Sequence, residues 1–298
     1  MGNRFELTVV CADEKTAQAG LEKAIAEISR VEKLLTTFNG ASQTAMINEA
    51  AGIRPVKVDK EVFDLVNRSI RISTITQGAF DISYGSIDKQ LWNFDQQMTA
   101  LPEKATAKKM VRLINYKNIV LDPHNVTVFL KEKGMRIGFG GIGKGYAAEQ
   151  AKLVLQKEGI KAGVVNAAGD LAAWGYQHNG QPWTIGIASP GNIWHPFSSM
   201  NITDKAVATS GNYEKFVVID GKKYSHTIDP KTGFPVHGIK SVTIICPNAE
   251  IADALATPVM VMGVKAGLDL INQLNDVECI IIDEDHKLHT SNNIKIVT

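Results

Sequence analysis

Apolar residues recur at helical spacing in three long stretches. Ala24, Ile25, Ile28, Val31, Leu35 and Phe38 mark one face of a helix predicted from about Asp13 to Phe38, stopped by Asn39-Gly40. Val62, Phe63, Val66 and Ile70 mark a second, opened by Asp59 as an N-cap and running to Gly78. Tyr146, Ala147, Ala151, Val154 and Leu155 mark a third, ended by Gly159. A short helix is predicted near Ala105–Ile114, and a last helical region over Ala249–Leu274, broken near Pro258 or Gly263.

Strand-like runs fill the intervals. They are Phe5–Val10, Ile119–Leu121, Val126–Leu130, Met135–Phe139, a strand–turn–strand over Gly163–Gly175, and Trp183–Ala188. Ala206–Tyr213, Phe216–Ile219, Tyr224–Ile228, Ser241–Cys246, Cys279–Asp283 and Leu288–His289 follow. Residues 95–105, 189–199 and the stretch holding Ser42 and Asn48 read as polar loops, and Gly78–Gly85 as a turn-rich segment leading to Leu91–Phe94. His124 reads as a residue of the turn Asp122-Pro-His-Asn125. Helices and strands do not alternate one by one. The expectation is an α+β fold in a single compact domain over residues 1–298, with mixed, largely antiparallel sheets and packed helices, rather than a doubly wound sheet.

Composition narrows the function. The 298 residues are 44% hydrophobic and 21% charged, as in globular proteins, and a net charge of +1 gives no field to recruit nucleic acid or an anionic membrane. Cys11, Cys246 and Cys279 sit in apolar runs without metal or redox spacing, so all three are expected to be buried hydrophobes. No apolar run reaches the ~18 residues of a membrane span. No leader is read at the N-terminus, and a chain trimmed of one would look the same.

The stretch from Arg136 to Glu149 carries the first chemical signal. Gly138, Gly140, Gly141, Gly143 and Gly145 surround Lys144, between a predicted strand and a helix. Free N–H groups and the helix dipole at such a junction favour a phosphate. Gly138, Gly140 and Gly143 match G-x-G-x-x-G, but the loop is mid-chain and Asp170 lies about 30 residues on, where a dinucleotide fingerprint wants an acid about 20 residues on. Gly138, Gly143 and Lys144 begin a P-loop, but Gly145 stands where a Ser or Thr must reach Mg²⁺. A glycine turn needed only for close packing is the third reading.

Two later segments add candidates. His226, beside the turn Asp229-Pro-Lys-Thr-Gly233, is either a plain strand histidine or a general base of suitable pKa. Asp253 and Thr257 are four apart, so both project from one helix face. They offer hard oxygens to Mg²⁺, or else an acid answering the helix dipole and a back-bonded threonine.

Eight segments, in order, resemble the ApbE family of FAD:protein FMN transferases, some of which also hydrolyse FAD. They are Met1–Phe5, Ser42 with Asn48, Gly78-Ala-Phe-Asp81, Gly140–Tyr146, Asn166-Ala-Ala-Gly-Asp170, Ser210–Glu214, His226–Gly233 and Ala252–Thr257. The resemblance implies FAD across the glycine loop, contacted by Met1, Phe38, Ala79, Phe80, Asp81, Gly138, Lys144 and the backbone of Thr227. It implies Mg²⁺ on the Gly141 carbonyl, Asp253 and the Thr257 hydroxyl, with His226 and Lys144 as the catalytic pair. In the family resembled, many relatives carry Asp at Gly138 and Gly at Ala168, some carry an additional Asp at Ala256, and Tyr often stands at Phe38. The implied acceptor is a flavoprotein, such as a subunit of a Na⁺-translocating quinone reductase or related electron-transport complex. The implied setting is the bacterial cell envelope. An FAD pyrophosphatase, a non-catalytic FAD-binding protein and a nicotinamide oxidoreductase are the alternatives.

Overall fold

A computed structural model describes residues 4–88, 100–187, 198–212, 216–219, 221–225 and 227–294. The elements run β1 (Phe5–Val10), α1 (Glu14–Leu35), α2 (Gln43–Glu49), β2 (Val56–Lys57), α3 (Lys60–Ile75), α4 (Lys104–Met110), β3 (Ile119–Asp122), β4 (Thr127–Leu130), α5 (Gly143–Lys157), β5 (Ala162–Ala167) and β6 (Asp170–Trp174). They continue with β7 (Trp183–Ile187), β8 (Ser198–Ile202), β9 (Ala206–Gly211), β10 (Phe216–Ile219), β11 (Lys222–Ser225), β12 (Ile239–Cys246), α6 (Ala249–Met262), α7 (Val264–Ile271), β13 (Glu278–Asp283) and β14 (Leu288–Thr290).

The central sheet has seven strands in the order β1-β5-β6-β9-β12-β13-β14. Its pairings are antiparallel, so the expected α+β class holds and the parallel frame of a dinucleotide fold is absent among the described residues. Successive residues in a strand face opposite ways. Along β9, Ala206 and Ala208 join the main core while Val207 joins a second cluster with Ile202, Ile245 and Ile280. The ribbon β7–β8 covers that second face through Trp183, Ile185 and Met200. With both faces covered, β12 is buried nearly throughout instead of alternating, Ser241 and Thr243 included.

On the main-core face, α5 packs against β5 and β6, α6 against β9 and β12, and the two helices against each other, with α1 against α5. The first half of α5 is therefore buried nearly all round, and glycine and alanine at 143, 145, 147, 148 and 151 allow the close approach. Side-chain caps set the starts of three helices. Asp13 accepts from the Thr16 N–H at 2.8 Å, Ser42 from Ala45 at 3.0 Å and Asn248 from Ile251 at 3.1 Å.

Several local expectations change. Ser42–Asn48 is not a loop; Ser42 caps α2. Asp59 precedes α3 but makes no side-chain cap; its carboxylate takes the Gln43 amide at 2.6 Å instead. The late helical region breaks at Gly263, whose φ of +83° ends α6, and not at Pro258, which α6 carries inside it. Met135–Phe139 is not a strand. Side chains clamp it instead. Asn48 donates to the Ile137 carbonyl at 3.0 Å and accepts its N–H at 2.7 Å, and Ser86 does the same for Arg136 at 2.9 and 2.8 Å. Cys11 is exposed; Cys246 and Cys279 are buried. Leu91–Phe94 lies outside the described residues.

Candidate active site

The clamped run Met135–Phe139 delivers the chain to the glycine loop, which turns directly into α5. Gly143 donates to the Phe139 carbonyl at 2.7 Å, and Tyr146 to Ile142 at 2.9 Å. The first free amides of α5 do not await a phosphate. The Gly145 N–H donates to Asp253 Oδ2 at 2.9 Å, and the Lys144 amide is also bonded to that carboxylate. An anion does sit at this helix start, as the dipole favours, but it belongs to α6 of the same chain.

Gly145 makes that contact possible. A Cβ here would lie 2.1 Å from the Ala249 carbonyl oxygen and 2.7 Å from the Asp253 Cβ. The P-loop reading fails for the same reason, since no hydroxyl side chain fits at residue 145. Close packing thus explains Gly145, and the ligand reading is left to the more open Gly138, Gly140 and Gly141. A Cβ on Gly140 would meet nothing within 4 Å, and one on Gly138 only the Thr37 methyl at 3.9 Å.

These residues open on a cleft of about 480 Å³, of ordinary size for a cofactor site. Ala79, Phe80, Asp81, Gly138, Gly141, Lys144, Thr227, Asp253 and Thr257 all line it. The structure therefore brings together most of the residues singled out from the sequence. Phe38 is 96% exposed and lines a neighbouring cavity of about 720 Å³, which shares Tyr84, Gly85 and Gly138 with the first. Met1 and His226 lie outside the described residues.

Each wall has a local cause. Asp81 opens the short 3-10 turn Ile82–Ser86. Its carboxylate accepts from the Ser83 amide at 2.8 Å, the Ser83 hydroxyl at 2.6 Å and the Tyr116 amide at 2.7 Å. Burial raises its pKa and these donors partly offset the rise. Asp81 is thus a structural anchor as well as a cleft residue. The Tyr84 hydroxyl is hydrogen-bonded to the Ile228 backbone, and burial pushes its pKa up to about 12. Thr227 has both main-chain groups engaged, its N–H to Ser225 Oγ at 3.0 Å and its carbonyl to the Val236 N–H at 2.9 Å. The turn beyond it is closed by Asp229, which accepts from the Lys231 amide at 2.8 Å and the Thr232 hydroxyl at 3.1 Å. At Gly233, with φ +76°, a Cβ would lie 2.3 Å from the Ala107 carbonyl oxygen.

The floor is charged. Lys144 Nζ lies 2.7 Å from Asp170 Oδ2, and both side chains are largely buried. Burial first, and the nearby Asp170 charge second, raise the Asp253 pKa, while Lys144 and the loop amides act against the rise. Thr257 Oγ1 shares a hydrogen bond of 3.1 Å with Ser210 Oγ at the end of β9. Behind the site, Glu149 Oε2 accepts the Ala249 N–H at 2.9 Å and Arg68 holds Glu250 at 2.6 and 3.0 Å, so the start of α6 is fixed on two sides. Among the described residues no three His, Cys, Asp or Glu side chains cluster as a metal cage. The carboxylate of Asp253, the hydroxyl of Thr257 and the Gly141 carbonyl are nonetheless all hard oxygen donors around one cleft, the chemistry that suits Mg²⁺.

Asp170, Ser210 and Tyr84 were not among the assigned site residues. From the sequence Asp170 reads as a poorly spaced fingerprint acid and as the end of the segment Asn166–Asp170, and Ser210 as the head of the segment Ser210–Glu214; the partners that give Ser210 and Tyr84 their places lie 47 and 144 residues away, invisible by numbering alone.

An antiparallel α+β frame sets a lysine, a glycine loop and oxygen donors around one cleft. The chain belongs to the ApbE family, whose model matches residues 1–281. It is 29% identical over 290 residues to an FAD:protein FMN transferase of Klebsiella pneumoniae (strain 342), covering 97% of this chain and 88% of that protein. It is 30% identical over 293 residues to one from Treponema pallidum (strain Nichols), covering 93% and 80%. The fold matches the crystal structure of an ApbE protein from Thermotoga maritima with a TM-score of 0.88 at 29% identity, over 98% of this chain and 94% of that one.

Proposed function

We propose that this protein is an Mg²⁺-dependent FAD:protein FMN transferase. One arrangement supports the reading above all: the glycine loop, Lys144, Ala79-Phe80-Asp81 and the Asp253–Thr257 pair share a single cleft, in a chain whose curated relatives carry that name. FAD and a protein hydroxyl are the substrates. The Thr or Ser oxygen of the acceptor bonds to the FMN-side phosphorus as the bond from that phosphorus to the bridging oxygen breaks. AMP leaves with the bridging oxygen, and the hydroxyl proton goes to a base, the role that family resemblance gives His226.

Lys144 neutralises charge on the pyrophosphate, and the loop around Gly138–Gly141 lets it approach the backbone. Ala79 and Phe80 add apolar surface to the cleft lining. The Gly141 carbonyl, Asp253 and Thr257 would hold Mg²⁺, which when bound supplies further neutralisation of the phosphate charge. Positioning and charge neutralisation do most of the work in such transfers. The acceptor in this reading is an electron-transport flavoprotein at the bacterial cell envelope, of the Na⁺-translocating quinone reductase kind.

The test is incubation with FAD, Mg²⁺ and an acceptor fragment. The expected result is an acceptor mass gain of one FMN phosphoester with equimolar AMP. No gain overturns the assignment, and a gain undiminished in Asp253→Ala overturns metal catalysis at this site. AMP released at the full rate without acceptor would make the protein a pyrophosphatase instead.

A further inference from the structure

Lys144 has two buried carboxylates within its field. Asp170 pairs with it at 2.7 Å. Asp253 accepts from the Lys144 and Gly145 amides, so it is held beside the lysine's own backbone. The two carboxylates are held differently. Asp253 rides on α6, one turn from its start, and lines the cleft. Asp170 is the first residue of β6, directly after a two-residue turn in which Ala168 has φ +52° and Gly169 φ +103°. Its backbone pairs with Ala167, and Asn166 Oδ1 takes the Gly169 N–H at 2.8 Å. The turn is thus fixed, and a short side chain leaves the Asp170 carboxylate little freedom. Lysine has a flexible four-carbon stem. The carboxylate therefore decides where the ammonium rests.

We propose that Asp170 is a positioning residue for this site: it holds the Lys144 ammonium off Asp253, so that the lysine stays available to pyrophosphate and Asp253 to a divalent cation. The inference rests on the reading of Asp253 as a cation ligand given above. With Asp170 neutral, Asp253 is the buried carboxylate left to the ammonium. An internal Lys144–Asp253 pair would then compete with the cation for the same oxygen donors and with the phosphate for the same lysine. Asp170 does not itself line the cleft; it sits on strand β6 and reaches the site through the lysine it pairs with.

The experiment follows FAD binding by flavin fluorescence in the full chain while Mg²⁺ is raised. Wild type, Asp170→Asn, Lys144→Met and the double variant are compared. Residues that support a metal ligand at one remove commonly change metal affinity about 10-fold or more. Asp170→Asn is expected to raise the Mg²⁺ half-saturation by about that factor. Lys144→Met removes the competitor, so the double variant is expected to return to the half-saturation of Lys144→Met alone, with FAD affinity weak in both. The last comparison stands even if Asp170→Asn alone does not fold, because the double variant leaves no lone buried ammonium. A purely structural role for Asp170 would not be undone by removing the lysine.

An unchanged half-saturation in Asp170→Asn overturns the inference. So does a full shift when Asp170→Asn is added to Lys144→Met, which would mean that Asp170 acts on the cation directly. If wild-type FAD binding ignores Mg²⁺ altogether, the cation reading of Asp253 falls, and the inference with it. A wild type that responds to Mg²⁺ beside an indifferent Asp170→Asn removes the inference alone.

Discussion

The Gly145 amide donates to the Asp253 carboxylate at 2.9 Å, joining the first turn of α5 to the first turns of α6 across 108 residues of sequence. The contact exists only because residue 145 lacks a side chain. A Cβ would stand 2.1 Å from the Ala249 carbonyl oxygen, which is backbone and cannot swing aside. Gly145→Ala must push α6 away and carry Asp253 and Thr257 with it. Overpacking of this kind costs about 1–3 kcal/mol. The expected outcome is a melting temperature lower by several degrees together with loss of Mg²⁺-dependent FAD binding. Thermal denaturation and flavin fluorescence check the two parts; a variant with wild-type melting and binding would show that the helices are not so tightly apposed.

The turn that presents Asp170 carries the opposite opportunity. Ala168 sits at φ +52°, a region that favours glycine. Ala168→Gly relieves that strain, and the gain outweighs the extra freedom of the unfolded chain by up to about 1 kcal/mol. The expected shift in melting temperature is upward by about 1–3 °C for a chain of this size. Calorimetry decides it, and a fall in melting temperature would mean that the turn relaxes some other way.

Much of this arrangement was legible in the sequence wherever one residue's neighbours in the chain are its neighbours in space. The 3.6-residue period of Ala24, Ile28, Val31 and Leu35 gave α1 to within a turn, and the Gly163–Gly175 pattern gave the β5–β6 hairpin. The period says nothing about who caps whom. Asp59 looks like an N-cap until Gln43, 16 residues earlier, claims its carboxylate. Met135–Phe139 has strand composition but is clamped by Asn48 and Ser86, so its backbone partners are side chains from elsewhere. The glycine loop read as a phosphate seat, and its helix start is instead filled by Asp253. That is a tertiary contact, and local spacing does not encode it.

Asp253 makes stability depend on pH. Burial and the Asp170 charge push its carboxyl from the ordinary 3.8 up to about 7. The unfolded chain loses that proton near 3.8, whereas the folded chain keeps it until about pH 7. Between those values the folded state binds more protons, so its stability falls as pH rises. The stabilisation is complete below about 3.8 and gone above about 7. In chelator-treated protein the urea midpoint is expected to fall across this window more steeply for wild type than for Asp253→Asn, whose amide does not ionise. Adding Mg²⁺ at neutral pH is expected to raise the wild-type midpoint and leave the variant nearly unchanged. Parallel pH curves for the two proteins would sink the idea.

Phe38 offers a way to separate binding from folding. It is 96% exposed, so its ring contributes little to the core, and it borders the cavity that meets the main cleft at Tyr84, Gly85 and Gly138. Exposed substitutions away from special features usually change stability by less than about 0.5 kcal/mol. An aromatic face against a flat ring system is worth roughly 0.5–1.5 kcal/mol, or about 2- to 13-fold in affinity. Phe38→Ala is therefore expected to melt with wild type yet bind FAD several-fold more weakly, and Phe38→Tyr to restore the affinity. Riboflavin should feel the loss as FAD does, while AMP should not, because only the flavin half would meet the ring. Equal weakening of FAD and AMP would move Phe38 to the adenosine side of the ligand, and no weakening of either would remove it from the site.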